Sequence, residues 1–277
     1  MKSFSRSEKK DKSIFPRKRF SQNFLVNLKA AKRIVDYLDL SHNEKVLEIG
    51  PGKGVLTQFL LEKARKVYGV ELDRNLCSYL QEKFKGNKNL EIINQDILKF
   101  GLKKLTDEEG TLKIIGNIPY KVTTPILEYL IQNRESIDFA ILTVQKEVAK
   151  RICANPGTSD WSPLSIGIQL FSDPEILFIL KPNSFFPPPK IDSAVIKLKF
   201  LKKPRIEVEP PFFFDLVKSL FSQRRKNLLN SLSRTLNLNK DKLKVILKDA
   251  GIDFKRRGET LNLEELGKLV KLISAGK

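Results

Sequence analysis

The amino-acid sequence predicts an α/β protein: a mostly parallel, doubly wound sheet, followed by a small all-helical C-terminal domain. Three observations carry this. From Lys45 to about Val144, short β-rich runs alternate with stretches whose apolar residues fall at helical spacing, the pattern of βαβ units. A glycine-rich turn, Gly50-Pro51-Gly52-Lys53-Gly54, follows the first run. After Phe200 the β-rich runs stop and amphipathic stretches follow one another.

Taken in order, residues 1–18 form a basic, polar arm with no apolar stretch of the kind a secretory signal needs. Lys45–Ile49, Lys66–Glu71, Leu90–Asn94, Leu112–Ile115 and Phe139–Val144 are predicted strands, with helices over Leu56–Ala64 and Arg74–Phe84. Ser193–Phe200 is a further strand, so residues 19–203 are expected to form one domain. Lys202–Pro211 mixes prolines with charge and suits a linker. Phe212–Phe221, Asn227–Leu236, Lys240–Ala250 and Leu263–Ile273 each carry an apolar stripe, with Gly251 and Gly258 as turns. They are expected to build a second domain over residues 204–277.

Lysine and arginine total 51 against 32 acidic residues, a formal charge of +19. Like charges repel in a compact chain, so the excess points to a polyanionic partner whose released counterions supply affinity. The basic N-terminal arm fits the same partner. No apolar run approaches the roughly 20 residues that span a bilayer, so no membrane partner is expected. Cys77 and Cys153 lack CxxC neighbours and His42 is the single histidine, which argues against a zinc site or a disulfide scaffold. No metal is expected, and a reducing cytoplasm is the expected setting.

In doubly wound sheets, ligands bind beyond the carboxyl ends of the strands. The glycine turn lacks the third glycine of a dinucleotide fingerprint, because Val55 stands there, and lacks the Gly-Lys-Ser/Thr of a P-loop. Its alternate glycines, Gly50 and Gly52 first, match instead the loop that holds the methionine part of S-adenosylmethionine. Glu71 ends the second strand and can accept hydrogen bonds from ribose hydroxyls. Asp96 follows the third strand and can accept from an adenine amine, with Leu72 and Ile97 flanking the ring.

The fourth strand runs into Asn117-Ile118-Pro119-Tyr120. An amine conjugated to an aromatic ring is a poor nucleophile, because its lone pair is delocalised. Hydrogen-bond acceptors on its N–H groups, from the Asn117 side chain and a carbonyl near Ile118, favour the pyramidal amine and the charge that develops on it. Pro119 stiffens the turn, and Tyr120 is placed to stack on the base. Ser184-Phe185-Phe186-Pro187-Pro188-Pro189-Lys190 offers a second wall for an unstacked base. Phe185 is assigned to the base and Phe186 to the core.

Together these runs resemble the ribosomal RNA adenine dimethyltransferases of the small-subunit type, over about Arg19 to Leu266. The resemblance includes Arg19-Phe20-Ser21-Gln22-Asn23-Phe24-Leu25, Gln145-Lys146-Glu147-Val148, Phe185 to Val195, and Phe221-Ser222-Gln223-Arg224-Arg225-Lys226-Asn227-Leu228. It implies a Rossmann-like S-adenosylmethionine methyltransferase sheet that dimethylates two adjacent adenines near the 3′ end of small-subunit RNA. It also implies cofactor contacts at Asn23, Leu25, Gly50, Glu71, Asp96 and Asn117. The expected partners are small-subunit ribosomal RNA and the pre-ribosomal small subunit, and the chain is expected to be a monomer. Arg224, Arg225 and Lys226 are expected to contact RNA phosphates. Where the family carries Tyr-Gly-x-Leu-Ser, this chain has Trp161-Ser162-Pro163-Leu164-Ser165, which leaves the local loop path open. Three alternatives also stay open: an erythromycin-resistance-type enzyme acting on large-subunit RNA, a methyltransferase acting on another planar nitrogen, and an assembly factor acting mainly by binding.

Overall fold

A computed structural model of the protein describes residues 22–106, 110–222 and 226–275. A short strand, β1 (Phe24–Leu25), leads to α1 (Leu28–Asp36). The Asn27 side chain caps α1 by accepting the Ala30 N–H at 3.0 Å. There follow β2 (Lys45–Ile49), α2 (Thr57–Leu61), β3 (Lys66–Glu71), α3 (Arg74–Lys83), β4 (Leu90–Asn94), β5 (Leu112–Asn117), α4 (Thr123–Gln132) and β6 (Ile137–Gln145). Next come α5 (Lys146–Ile152), α6 (Pro163–Phe171), β7 (Ser172–Leu180), β8 (Phe185–Phe186) and β9 (Ser193–Phe200). The chain closes with α7 (Pro210–Ser222), α8 (Leu228–Leu236), α9 (Lys240–Asp249) and α10 (Leu263–Ala275).

Seven strands form one sheet in the order β4-β3-β2-β5-β6-β9-β7. The pairs among β2 to β6 are parallel, and β9 runs antiparallel to β6. β6 is buried along nearly its whole length, as expected of a strand in a sheet covered on both faces. On one face, Ala31, Ile34 and Val35 of α1 pack with Val46, Val67, Ile115, Ile141 and Val195 of the strands. β1 and β8 pair antiparallel as a separate two-stranded ribbon. Neither β7 nor this ribbon was predicted, and β5 runs two residues beyond the predicted Ile115 to include Asn117.

The chain divides into two compact units. The described residues through Ala149, with Glu175–Phe200, make the sheet unit. Lys150–Pro174 and the residues from Leu201 onward make the helical unit. This departs from the single boundary at 203/204 read from the sequence. The reason is packing: Ala154, Trp161, Ile166 and Leu170 are buried in one core with Phe213, Leu216, Leu232, Leu247 and Leu269. A segment from the middle of the chain is therefore part of the helical core.

Trp161 anchors that segment. Its ring is fully buried and its Nε1–H donates to the Leu261 carbonyl at 3.1 Å, which meets the indole's need for an acceptor. Ser162 is extended and caps α6 in a reciprocal box with Ser165, and Pro163 sits in the first turn, where no N–H is needed. This settles the loop path: the serine takes an ordinary backbone conformation, so no glycine is required. Trp161→Ala is expected to destabilise the chain by about 3–5 kcal/mol, read in urea denaturation. A loss under about 1 kcal/mol would show that the ring is not the anchor described.

Candidate active site

The chain leaves β2 for β3 on one side and later returns to place β5 on the other side of β2, with Ile49 opposite Gly116. Strand order thus reverses between β2 and β5, and a crevice opens beyond their carboxyl ends. A cavity of about 230 Å³ lies there. Asn23, Gly50, Gly52, Glu71, Leu72, Asp96, Ile97, Asn117 and Tyr120 all line it, so most of the residues expected at the site are brought together.

Each is placed by its element. Gly50 has φ 64°, and a side chain there would meet nothing within 4 Å, so its backbone faces open space. Gly52 has φ 59°, and a Cβ would press the Phe24 ring at 3.1 Å. The glycine turn is tied to β3 by Glu71. One carboxylate oxygen accepts the Gly52 N–H at 3.1 Å, and the other accepts the Asp73 N–H at 2.9 Å. Burial pushes the Glu71 carboxyl above its ordinary value, while these backbone donors pull it back. Asp96 accepts the Leu98 N–H at 3.0 Å, which orients its carboxylate as β4 ends.

At the end of β5, the Asn117 Nδ2 donates to the Asn23 carbonyl at 2.8 Å. With the nitrogen so engaged, the side-chain oxygen is left for the acceptor role. The Ile118 N–H donates to the Thr143 carbonyl at 3.1 Å, anchoring the turn to β6. The Tyr120 hydroxyl is 2.7 Å from the fully buried Ser193 hydroxyl at the start of β9. Burial raises the Tyr120 phenol above its ordinary value.

Two expectations need correction. Phe185, assigned to the target base, is buried in the sheet unit's core, whereas Phe186, assigned to the core, is 53% exposed. The cause is the two-residue alternation of a strand. The ribbon pairs Phe186 with Phe24, which lines the cavity, and Phe185 with Leu25, which is also in the core. Leu25 accordingly sends its side chain into that core and does not line the cavity. Arg224 and Arg225 lie outside the described residues, as does the basic arm 1–18. Lys226 is described and exposed.

Phe24 and Ser193 were not predicted as site residues. The signal for Phe24 is its place between Asn23 and Leu25, but only the ribbon shows which way it points. Nothing near Ser193 marked it as the partner of a tyrosine 73 residues away. Among the described residues, no group of His, Cys, Asp or Glu is arranged to hold a metal, and no helix is long and apolar enough to cross a membrane.

A family model described as "Ribosomal RNA adenine dimethylase" matches residues 15–269. "Ribosomal RNA small subunit methyltransferase A" of Alkaliphilus metalliredigens (strain QYMF) is 44% identical over 263 residues, covering 93% of this chain and 92% of that protein. The protein of the same name from Clostridium botulinum (strain Kyoto / Type A2) is 42% identical, covering 91% of this chain and 92% of that one. Among solved structures, a dimethyladenosine transferase from Plasmodium falciparum matches with a TM-score of 0.79 and 28% identity, over 91% of this chain and 98% of that one. The 23S rRNA methyltransferase ErmE matches with a TM-score of 0.71 and 27% identity, over 91% of this chain and 100% of that one.

Glu48, near the end of β2, was not singled out in the sequence, yet it is 1% exposed. Burial pushes its carboxyl up to about 7, the Thr57 hydroxyl donating at 2.6 Å holds it down, and the charge of Glu71 adds to the rise. A folded-state value above the unfolded one means that the native chain keeps a proton the unfolded chain has released. Stability from this group is therefore present below about pH 4.5 and lost as pH climbs to about 7. Glu48→Gln should flatten that decline, seen by urea denaturation at several pH values across the window. A wild-type-to-variant difference that does not change with pH would contradict it.

Proposed function

This chain belongs to the ribosomal RNA adenine dimethylase family, and from that premise we propose how its cavity methylates adenine in small-subunit ribosomal RNA. The product we infer is N6,N6-dimethyladenine at two adjacent positions near the 3′ end of that RNA. Relatives that share 42–44% identity over more than nine-tenths of the chain are small-subunit enzymes by name, which favours this substrate over large-subunit RNA. The observation that carries the chemical reading is the Asn117 amide, held by the Asn23 carbonyl at 2.8 Å with its oxygen left to accept.

The residues fit S-adenosylmethionine, which when bound supplies an electrophilic methyl group. Gly50 and Gly52 present backbone without side chains to its methionine part, in room that a Cβ on Gly50 would not find occupied. Glu71 would accept from the ribose hydroxyls, since each carboxylate oxygen keeps a lone pair beyond its backbone donor. Asp96 would accept from the adenine amine, between Leu72 and Ile97.

The Asn117 oxygen and the Ile118 carbonyl accept the N–H groups of the target adenine and draw its lone pair out of conjugation. Tyr120 stacks on the base, its ring held by the hydrogen bond between its hydroxyl and that of Ser193. As the nitrogen gains its methyl group it becomes cationic and gives up one proton to water. That acidic ammonium needs no strong base, and among the described lining residues no histidine is present to act as one. Repeating the step on the monomethylated amine requires only that one acceptor stay engaged. A reducing cytoplasm suits such a substrate, and nothing in this scheme requires a second copy of the chain.

Mass mapping of adenines in small-subunit particles treated with the protein and labelled cofactor is the direct test. The expected result is two neighbouring dimethylated adenines near the 3′ end; label confined to large-subunit RNA would overturn the substrate. Asn117→Ala is expected to slow methyl transfer by about 10²–10³-fold, with cofactor uptake in calorimetry within a few fold of wild type. Unchanged transfer would remove Asn117 from the mechanism.

A further inference from the structure

We infer that Glu48 and Glu71 form a buried acid pair that selects the charged methyl donor over its spent, neutral product, Glu48 giving up a proton as the donor binds. This goes beyond the cofactor reading above and rests on it.

The pair follows from strand register. β2 and β3 run parallel with Glu48 opposite Gly69, so Glu71, two residues further on, lies on the same face of the sheet. Both carboxyls are buried. Glu71 lines the cavity and Glu48 does not, so Glu48 acts on a ligand through its charge alone. Among the described residues, neither carboxyl is in an ion pair. Buried charges are ordinarily paired, and a cationic ligand beside Glu71 meets that need.

The neighbouring elements supply no such cation. α2 offers the Thr57 hydroxyl to Glu48, and β5 places Ile115 alongside it. The buried stripe of α1 is Ala30, Ala31, Ile34 and Val35. Past β3, Asp73 adds another acid beside Glu71, while burial pushes the Cys77 thiol of α3 up to about 11 and so keeps it neutral. Lys66 of β3 is turned to Glu91 at 3.3 Å, and Lys113 of β5 to Glu44 at 2.7 Å. The Lys53 ammonium of the glycine turn lies 5.7 Å from the centre of the Phe24 ring.

S-adenosylmethionine carries a sulfonium and an ammonium against one carboxylate. S-adenosylhomocysteine lacks the sulfonium charge and is neutral overall. A cation brought near a buried carboxyl favours its ionised form. Glu48 keeps its proton below about pH 7, and the donor draws that proton off to solvent more strongly than the product does. Release of a proton on binding makes affinity rise with pH until the free protein has itself lost the proton. Preference for the donor is therefore greatest near neutrality and fades in acid.

The test is calorimetry of the full chain with each compound, from about pH 5.5 to about pH 7.5, in two buffers of different ionisation heat so that released protons are counted. Near neutrality the donor should release more protons than the product. The donor-to-product affinity ratio should rise by about tenfold across the series, the effect of lowering one carboxyl by about one unit. Glu48→Gln should abolish that rise; the amines of the ligands titrate alike in both proteins, so the difference isolates Glu48. Thr57→Val removes the hydroxyl that holds Glu48 down and should move the rise to higher pH. Circular dichroism at each pH confirms that the variants are folded. Equal proton release for the two compounds in the wild type, or a rise that persists in Glu48→Gln, would overturn the acid pair and leave the cofactor reading standing. Uptake of neither compound at any pH would sink the cofactor reading and the pair with it.

Discussion

Parallel strands deliver all their carboxyl ends to one edge of a sheet, and that constraint underlies the whole site. The glycine turn, Glu71, Asp96 and Asn117 come from different strands. They meet because the strand order reverses between β2 and β5, so neighbouring connections depart to opposite sides. Once that reversal is in place, short-range bonds finish the work. Glu71 ties the glycine turn to β3, and the Ile118 N–H ties the next turn to β6. Each such bond is worth only about 0.5–1.5 kcal/mol net, so the sheet and not any single contact sets the geometry.

The Asn117 amide depends on a more distant partner. Asn117 is oriented by a carbonyl 94 residues earlier in the chain. That carbonyl immediately precedes β1, which is held by β8, a strand about 160 residues further on. The Val26 N–H adds a bond to the Ser184 carbonyl at 2.8 Å. An asparagine amide can turn either way with little change of shape, and only hydrogen bonding decides which end faces a ligand. Here the decision lies with a two-residue ribbon outside the main sheet.

The parallel half of the fold was legible in the sequence because its strands are compact β-rich runs, the first two each followed by a helical stripe. β3 and β4 run over the very residues read as Lys66–Glu71 and Leu90–Asn94. The strand-end residues that line the cavity were legible for the same reason, since their positions follow from where the runs stop. β7 escaped notice: its residues carry charge and proline at Asp173-Pro174-Glu175, which read as a break, although the strand pairs at the sheet's edge, where proline is tolerated. The Phe185–Phe186 reversal escaped for a different reason. Two adjacent aromatics on one strand point opposite ways, and composition cannot say which faces inward until the register with Phe24 and Leu25 is known.

The return of residues 150–174 to the helical core has a consequence for how the protein is made. The chain passes from one unit to the other three times, at 149/150, 174/175 and 200/201. A ribosome synthesising it exposes Trp161 long before Leu261, whose carbonyl will hold the ring, has been added. Domains usually complete in the order they emerge, but here neither unit is contiguous. The helical one in particular must wait with an apolar mid-chain segment uncovered until α7 to α10 have been added. Excision of either unit as one uninterrupted stretch would sever a core, so neither can be produced alone by a single truncation.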